Sequence, residues 1–133
     1  MSRKALRVRE DETMKALIIT ADDVISVVDV KENGEALYQL VRNTIGGYME
    51  NVYPRGLPNG YVMVVDEEGK LKHKPVNKLG SILYMNTDDV IVGDVIILKL
   101  GVHQGECDIV GIPDDELIKL RYYLIKLCDL WLL

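Results

Sequence analysis

The sequence predicts an α+β fold: a small, mixed, mostly antiparallel sheet with one internal helix and a long C-terminal helix. Three observations lead there. Short runs rich in β-branched residues follow one another through connections too short for parallel crossovers, so adjacent strands pair antiparallel. One amphipathic helical pattern interrupts them after Asn33-Gly34, and a longer helical pattern closes the chain. The 133 residues suit one domain at the usual size of about 100–200 residues. With 48% hydrophobic and 28% charged residues, the composition is that of a folded chain and excludes general disorder. Whether such a sheet stays open or becomes barrel-like is left open by the pattern.

Residues 1–13 read as a flexible leader, with four basic side chains (Arg3, Lys4, Arg7, Arg9) followed by Glu10, Asp11 and Glu12. An α+β domain is expected over 14–111. Met14–Thr20 is a first strand, Ala21-Asp22-Asp23 a polar break, and Val24–Val30 a second strand that pairs with the first as a hairpin. Leu37, Leu40, Val41 and Ile45 then share one helical face, and Gly46-Gly47 ends that helix through positive φ. Tyr48–Tyr53 is a short strand and Pro54–Gly60 a loop. Tyr61–Asp66 is apolar on both faces and calls for cover on both sides. Glu67–Lys70 signals a turn from which Leu71–Lys74 returns, and Leu79, Ile82 and Leu83 suggest one or two helical turns. Asp89–Leu100 carries two β-branched runs that change direction at Gly93-Asp94, and Gly101–Gly111 reads as a polar loop.

Pro113 starts the last element, which runs over 113–133. Asp114, Asp115 and Glu116 sit where acidic groups favour a helix N-terminus. Leu117, Leu120, Leu124, Leu127, Cys128 and Trp131 fill one broad face, widened by Ile118 and Ile125. That arc exceeds what docking on one sheet face requires. It predicts a homo-oligomer formed through the C-terminal helix, and within the arc Arg121 snorkels or pairs across the contact.

Gly46-Gly47-Tyr48-Met49-Glu50 behind an amphipathic helix is one distinctive stretch. Tyr61 through Asp66-Glu67-Glu68-Gly69-Lys70-Leu71, then Pro75-Val76-Asn77, then Asp89–Val95 (DVIVGDV) is another. In this order, after a Met-Lys-Ala-Leu strand, they resemble a small family catalogued as a domain of unknown function, thirty-eight forty-six in that series, over roughly residues 14–100. The resemblance implies a small accessory protein of a phage, plasmid or other mobile element, working in the host cytoplasm. It assigns no activity and no functional residues.

The chain's own chemistry narrows the function further. Sixteen basic against 21 acidic side chains give a net charge of −5, which matches neither nucleic acid nor an acidic membrane surface. No apolar run reaches the roughly 18–20 residues of a membrane span. Cys107 and Cys128 form no CxxC pair and read as reduced, buried thiols. His103 and Cys107, with Glu106 and Asp108, fall short of a closed four-ligand zinc site, so neither metal nor cofactor is expected. Ser26 and Ser81 lack a glycine-framed elbow, and the carboxylates Asp66-Glu67-Glu68 and Asp88-Asp89 sit at turns; no catalytic residue is assigned.

The remaining polar and aromatic residues form a candidate ligand site. Tyr48 and Glu50 are expected on one face of the short strand and Tyr53 on the other, offering flat rings with hydroxyl handles. Arg42 and Arg55 flank them as partners for a phosphate or carboxylate, and Asn77 offers an amide to a base edge. Two functions follow. One is a non-enzymatic protein that binds a small, nucleotide-like ligand. The alternative is an interaction module that engages a host protein, as a host-defence antagonist or an acidic DNA mimic. Direct nucleic-acid or membrane binding is not expected.

Overall fold

A computed structural model describes residues 14–30, 34–86, 88–103 and 105–131; the leader and the His103 side chain lie outside what it describes. The strands are β1 (Met14–Ile19), β2 (Ile25–Val30), β3 (Met49–Val52), β4 (Tyr61–Asp66), β5 (Val95–His103), β6 (Glu106–Val110) and β7 (Ile112–Pro113). The helices are α1 (Gly34–Ile45), α2 (Lys78–Tyr84) and α3 (Asp114–Trp131). The fold is α+β. Five strands run in the order β2-β1-β5-β4-β3, with β6 beside β5 and β7 beside β1; the sheet is open and every pairing is antiparallel.

Strand alternation divides the core between two faces. Leu17, Ile19, Met63, Val65, Val95 and Ile97 point to one side, where Leu79 and Leu83 of α2 and Leu117, Leu120 and Leu124 of α3 cover them. Ala16, Val62, Val64, Ile96 and Leu98 point to the other, under Val41 and Ile45 of α1. This is why Tyr61–Asp66 is apolar throughout: β4 is sandwiched between helical layers. α1 carries the expected face, with Val41 and Ile45 buried and Leu37 and Leu40 packed beside them. Its final turn closes through a hydrogen bond from the Gly46 amide to the Arg42 carbonyl (2.8 Å), with Gly46 at φ +72°.

Four expectations need correction. Gly101–Gly111 is not a loop but the hairpin of β5 and β6, registered from Lys99↔Val110 to His103↔Glu106. Its outer strand has exposed Glu106, Cys107 and Asp108, so the hydrophobic alternation that marks a half-buried strand is missing. Leu71–Lys74 does not return as a strand; Glu67–His73 is a succession of turns with Leu71 exposed. Cys107 is exposed rather than buried. Finally, α3 does not turn its whole apolar arc outward: Leu117, Leu120 and Leu124 are enclosed by the chain's own core, and Leu127 and Cys128 pack at its border. Ile118, Tyr122, Ile125, Leu130 and Trp131 stay in solvent. Arg121 is exposed as well.

The base of α3 is held by a polar knot. Tyr61 donates its hydroxyl to Glu116 at 2.8 Å, and Lys99 also hydrogen-bonds this carboxylate. Lys99 holds the Glu116 carboxyl below the usual range, while burial and the same carboxylate raise the Tyr61 phenol. Among the described residues no helix is long and apolar enough to cross a membrane.

A candidate ligand groove at the end of α1

Leaving α1, the chain makes two glycine steps and enters β3, and the second step lies against a buried ion cluster. Asp66, at the end of β4, has a 1% exposed side chain that faces Lys72 at 2.9 Å and Lys74 at 2.7 Å. It also accepts the Glu68 amide at 2.9 Å. Burial alone would push this carboxyl up. The hydrogen bonds from Lys74 and Lys72 and the Glu68 amide outweigh it and hold the carboxyl at about 2. Lys74 also donates to the Ile45 carbonyl (2.8 Å), placing a cation on the carbonyl end of α1 where the helix dipole favours it. A Cβ on Gly47 would stand 2.4 Å from Lys72 Nζ and 2.7 Å from both Asp66 oxygens. Only glycine lets the cluster close against the backbone here.

Above this cluster lies an open groove of about 570 Å³, walled by Tyr38 and Arg42 of α1, Gly46, Gly47, Tyr48 and Lys72. The Glu68 carboxylate lines it as well. Arg42 donates to the Tyr38 hydroxyl at 3.3 Å, which sets the guanidinium beside that ring. Tyr48 is 71% exposed, a ring presented to solvent. The groove therefore combines two cations and one carboxylate with two accessible phenol rings. That pairing suits a ligand with an anionic group and a flat ring system.

The six residues expected to form one site are divided among four places. Arg42 and Tyr48 meet in the groove. Glu50 lies in a separate depression of about 120 Å³ with Lys70, Tyr84 and Asp89, where Lys70 pairs with Asp89. Tyr48 precedes β3, so the strand's two-residue alternation does not carry it to Glu50's side. Tyr53 and Arg55 line a third hollow with Tyr84, Met85 and Asn86. Asn77 reaches no surface: it is fully buried, donating to the carbonyls of Ile19 and Gly93 (both 2.9 Å) and accepting the Gly80 amide (2.8 Å) as the N-cap of α2. Its role is structural. Tyr38 and Lys72 were missed. Tyr38 sits one helical turn before Arg42 and was legible from that spacing, whereas Lys72 arrives through a turn whose path the sequence does not spell out.

Comparison with known families places these features in context. The model of the domain of unknown function DUF3846 matches residues 14–124. The chain belongs to this family. The match takes in every strand, α1, α2 and the core-facing leucines of α3, so the DUF3846 unit contains both helical layers and the whole groove. Ile125–Trp131, the outer end of α3, lies beyond it. No curated protein and no solved structure matches the chain. Among the described residues, no group of three or more His, Cys, Asp or Glu side chains is placed to hold a metal ion.

Proposed function

We propose that this DUF3846 protein binds a small, anionic, ring-bearing ligand of nucleotide type in the groove at the end of α1, as an accessory protein of a mobile element and without turning the ligand over. The observation that carries this reading is the convergence of Arg42, Lys72, Tyr38 and Tyr48 on one cavity of about 570 Å³. Cations and rings are the equipment of binding. A ligand that binds the folded chain alone raises its melting temperature as ligand concentration rises. A thermal-shift series with mononucleotides is expected to show that rise, and Arg42→Ala to abolish it without altering the ligand-free melting temperature, because Arg42 is exposed and, among the described residues, its side chain holds only the Tyr38 hydroxyl. Absence of a shift with every mononucleotide at millimolar concentration overturns the reading.

The outer face of α3 supports a second reading, self-association. Ile118, Tyr122 and Ile125 repeat at spacings of four and three, the seam spacing by which like helices pair. Ile118 is 71% and Trp131 67% exposed, an apolar stripe of the kind that marks an association surface. The partner proposed is a second copy of this chain. Light scattering on the purified protein is expected to give a dimer that Ile118→Asp with Ile125→Asp converts to a folded monomer. A wild-type monomer at all concentrations overturns this reading and leaves a host protein as the occupant to seek. Leu124 is unsuitable for the test because it is a core residue.

A further inference from the structure

We infer that the ligand is a nucleoside monophosphate whose base carries an exocyclic amino group, laid lengthwise along α1 with its phosphate on the Arg42 and Lys72 side chains and its base in a neighbouring apolar bay; this rests on the ligand reading of the groove. The bay, about 340 Å³, presents the partly exposed Leu37, Met49 and Ile109 over the buried core residues Val41, Val64 and Leu98. Tyr38 and Met49 line both cavities, so the bay and the basic groove are successive compartments along one flank of α1. Gly34, Tyr38, Arg42 and Gly46, each four residues from the next, follow this flank from the bay to the double glycine. Twelve residue steps of helix cover about 18 Å. A phosphate occupies only the last part of such a length.

The two compartments differ in the chemistry they accept. The groove offers Arg42 and Lys72 as cations against the Glu68 carboxylate, one net positive charge, with Lys72 already shared with Asp66. That balance suits one phosphoryl group and disfavours a polyphosphate. The bay is apolar apart from Asn51 and Asp108 at its rim. Apolar walls with a few polar groups at the edge are how a ring is enclosed and its edge read. Asp108 accepts the Ile109 amide through Oδ1 (2.8 Å) and, as a carboxylate, has acceptor capacity left. Asn51 supplies one acceptor and an NH2 donor, the pair with which an asparagine reads adenine. An acceptor-rich rim favours a base with an amino group over one whose edge presents carbonyls.

Calorimetric titration of the full chain with AMP, UMP, ATP and ribose 5-phosphate tests this directly. AMP is expected to bind about tenfold or more tighter than UMP and ribose 5-phosphate, the return on one well-seated base. Gly34 lines the bay and a Cβ there meets nothing within 4 Å, so Gly34→Phe adds a ring at this end of the bay without disturbing the core. This variant is expected to bring AMP down to the affinity of ribose 5-phosphate and leave ribose 5-phosphate unchanged. Asn51→Leu, at an exposed position, is expected to erase the preference for AMP over UMP. Equal affinity of the wild type for AMP and ribose 5-phosphate, or AMP binding untouched by Gly34→Phe, overturns the bay assignment while the groove reading stands. ATP binding tighter than AMP overturns the single-phosphoryl assignment. If no phosphate compound binds, or if binding survives Arg42→Ala, the groove reading falls and this inference with it.

Discussion

Asn77→Ala is expected to lower the melting temperature by about 10 °C, for a loss near 3 kcal/mol in a chain of this size. The side chain ties together three segments far apart in sequence: the end of β1 through the Ile19 carbonyl, the turn before β5 through the Gly93 carbonyl, and the start of α2 through the Gly80 amide. Alanine strands two carbonyls and an amide in a fully buried site, each at about 1–3 kcal/mol before relaxation. Asn77→Asp separates the contributions. It keeps the acceptor for Gly80 but replaces both donations with a carboxylate facing carbonyl oxygens, so it is expected to be at least as damaging as alanine. Thermal unfolding followed by circular dichroism reads both. A loss below about 1 kcal/mol for Asn77→Asp means that the two donations do not hold the segments together.

The second large effect is acid destabilisation centred on Asp66. Its carboxyl sits at about 2 in the folded chain, below the ordinary value of 3.8, because Lys74, Lys72 and the Glu68 amide outweigh the cost of burial. A folded value below the unfolded one means that the stabilisation is fully present above pH 4. It fades as pH falls from about 4 to 2. The difference corresponds to about 2 kcal/mol. Asp66→Asn, which cannot titrate, is expected to be less stable than the wild type by about that amount at pH 7. The two stabilities then converge near pH 2. Glu116, held down by Lys99, adds to wild type and variant alike and cancels from the comparison. Urea midpoints at pH 7, 4, 3 and 2 measure the convergence, and a wild-type advantage that does not change with pH contradicts the lysine clamp.

The sheet and helices were legible because their signals are local. Val41 and Ile45 bury the helical face that periodicity assigned them, and the unbroken apolar run of β4 announced cover on both sides, which the helices supply. The β5–β6 hairpin escaped notice because Glu106, Cys107 and Asp108 present polar or weakly apolar side chains on a strand that packs little. Its pairing is backbone chemistry, which leaves little trace in side-chain pattern. The groove was half legible for a related reason. Arg42 and the double glycine are neighbours in sequence, but Lys72 reaches them only because Asp66 anchors the turns after β4. Asn77 misled because an asparagine that caps a helix and one that reads a ligand look alike in sequence. Only burial separates them.

The place of β5 in the sheet bears on how the chain is made. β1 emerges first, yet its inner edge pairs with Leu17 opposite Ile97. Eighty residues separate these partners, so at translation rates of about 5–20 residues per second roughly 4–16 s pass before the ribosome has produced the other half of that ladder. Through that interval the β1–β2 ribbon carries Leu17 and Ile19 without the strand that flanks them in the folded sheet. The nascent chain is then most open to chaperones and to mispairing with its neighbours on the same message.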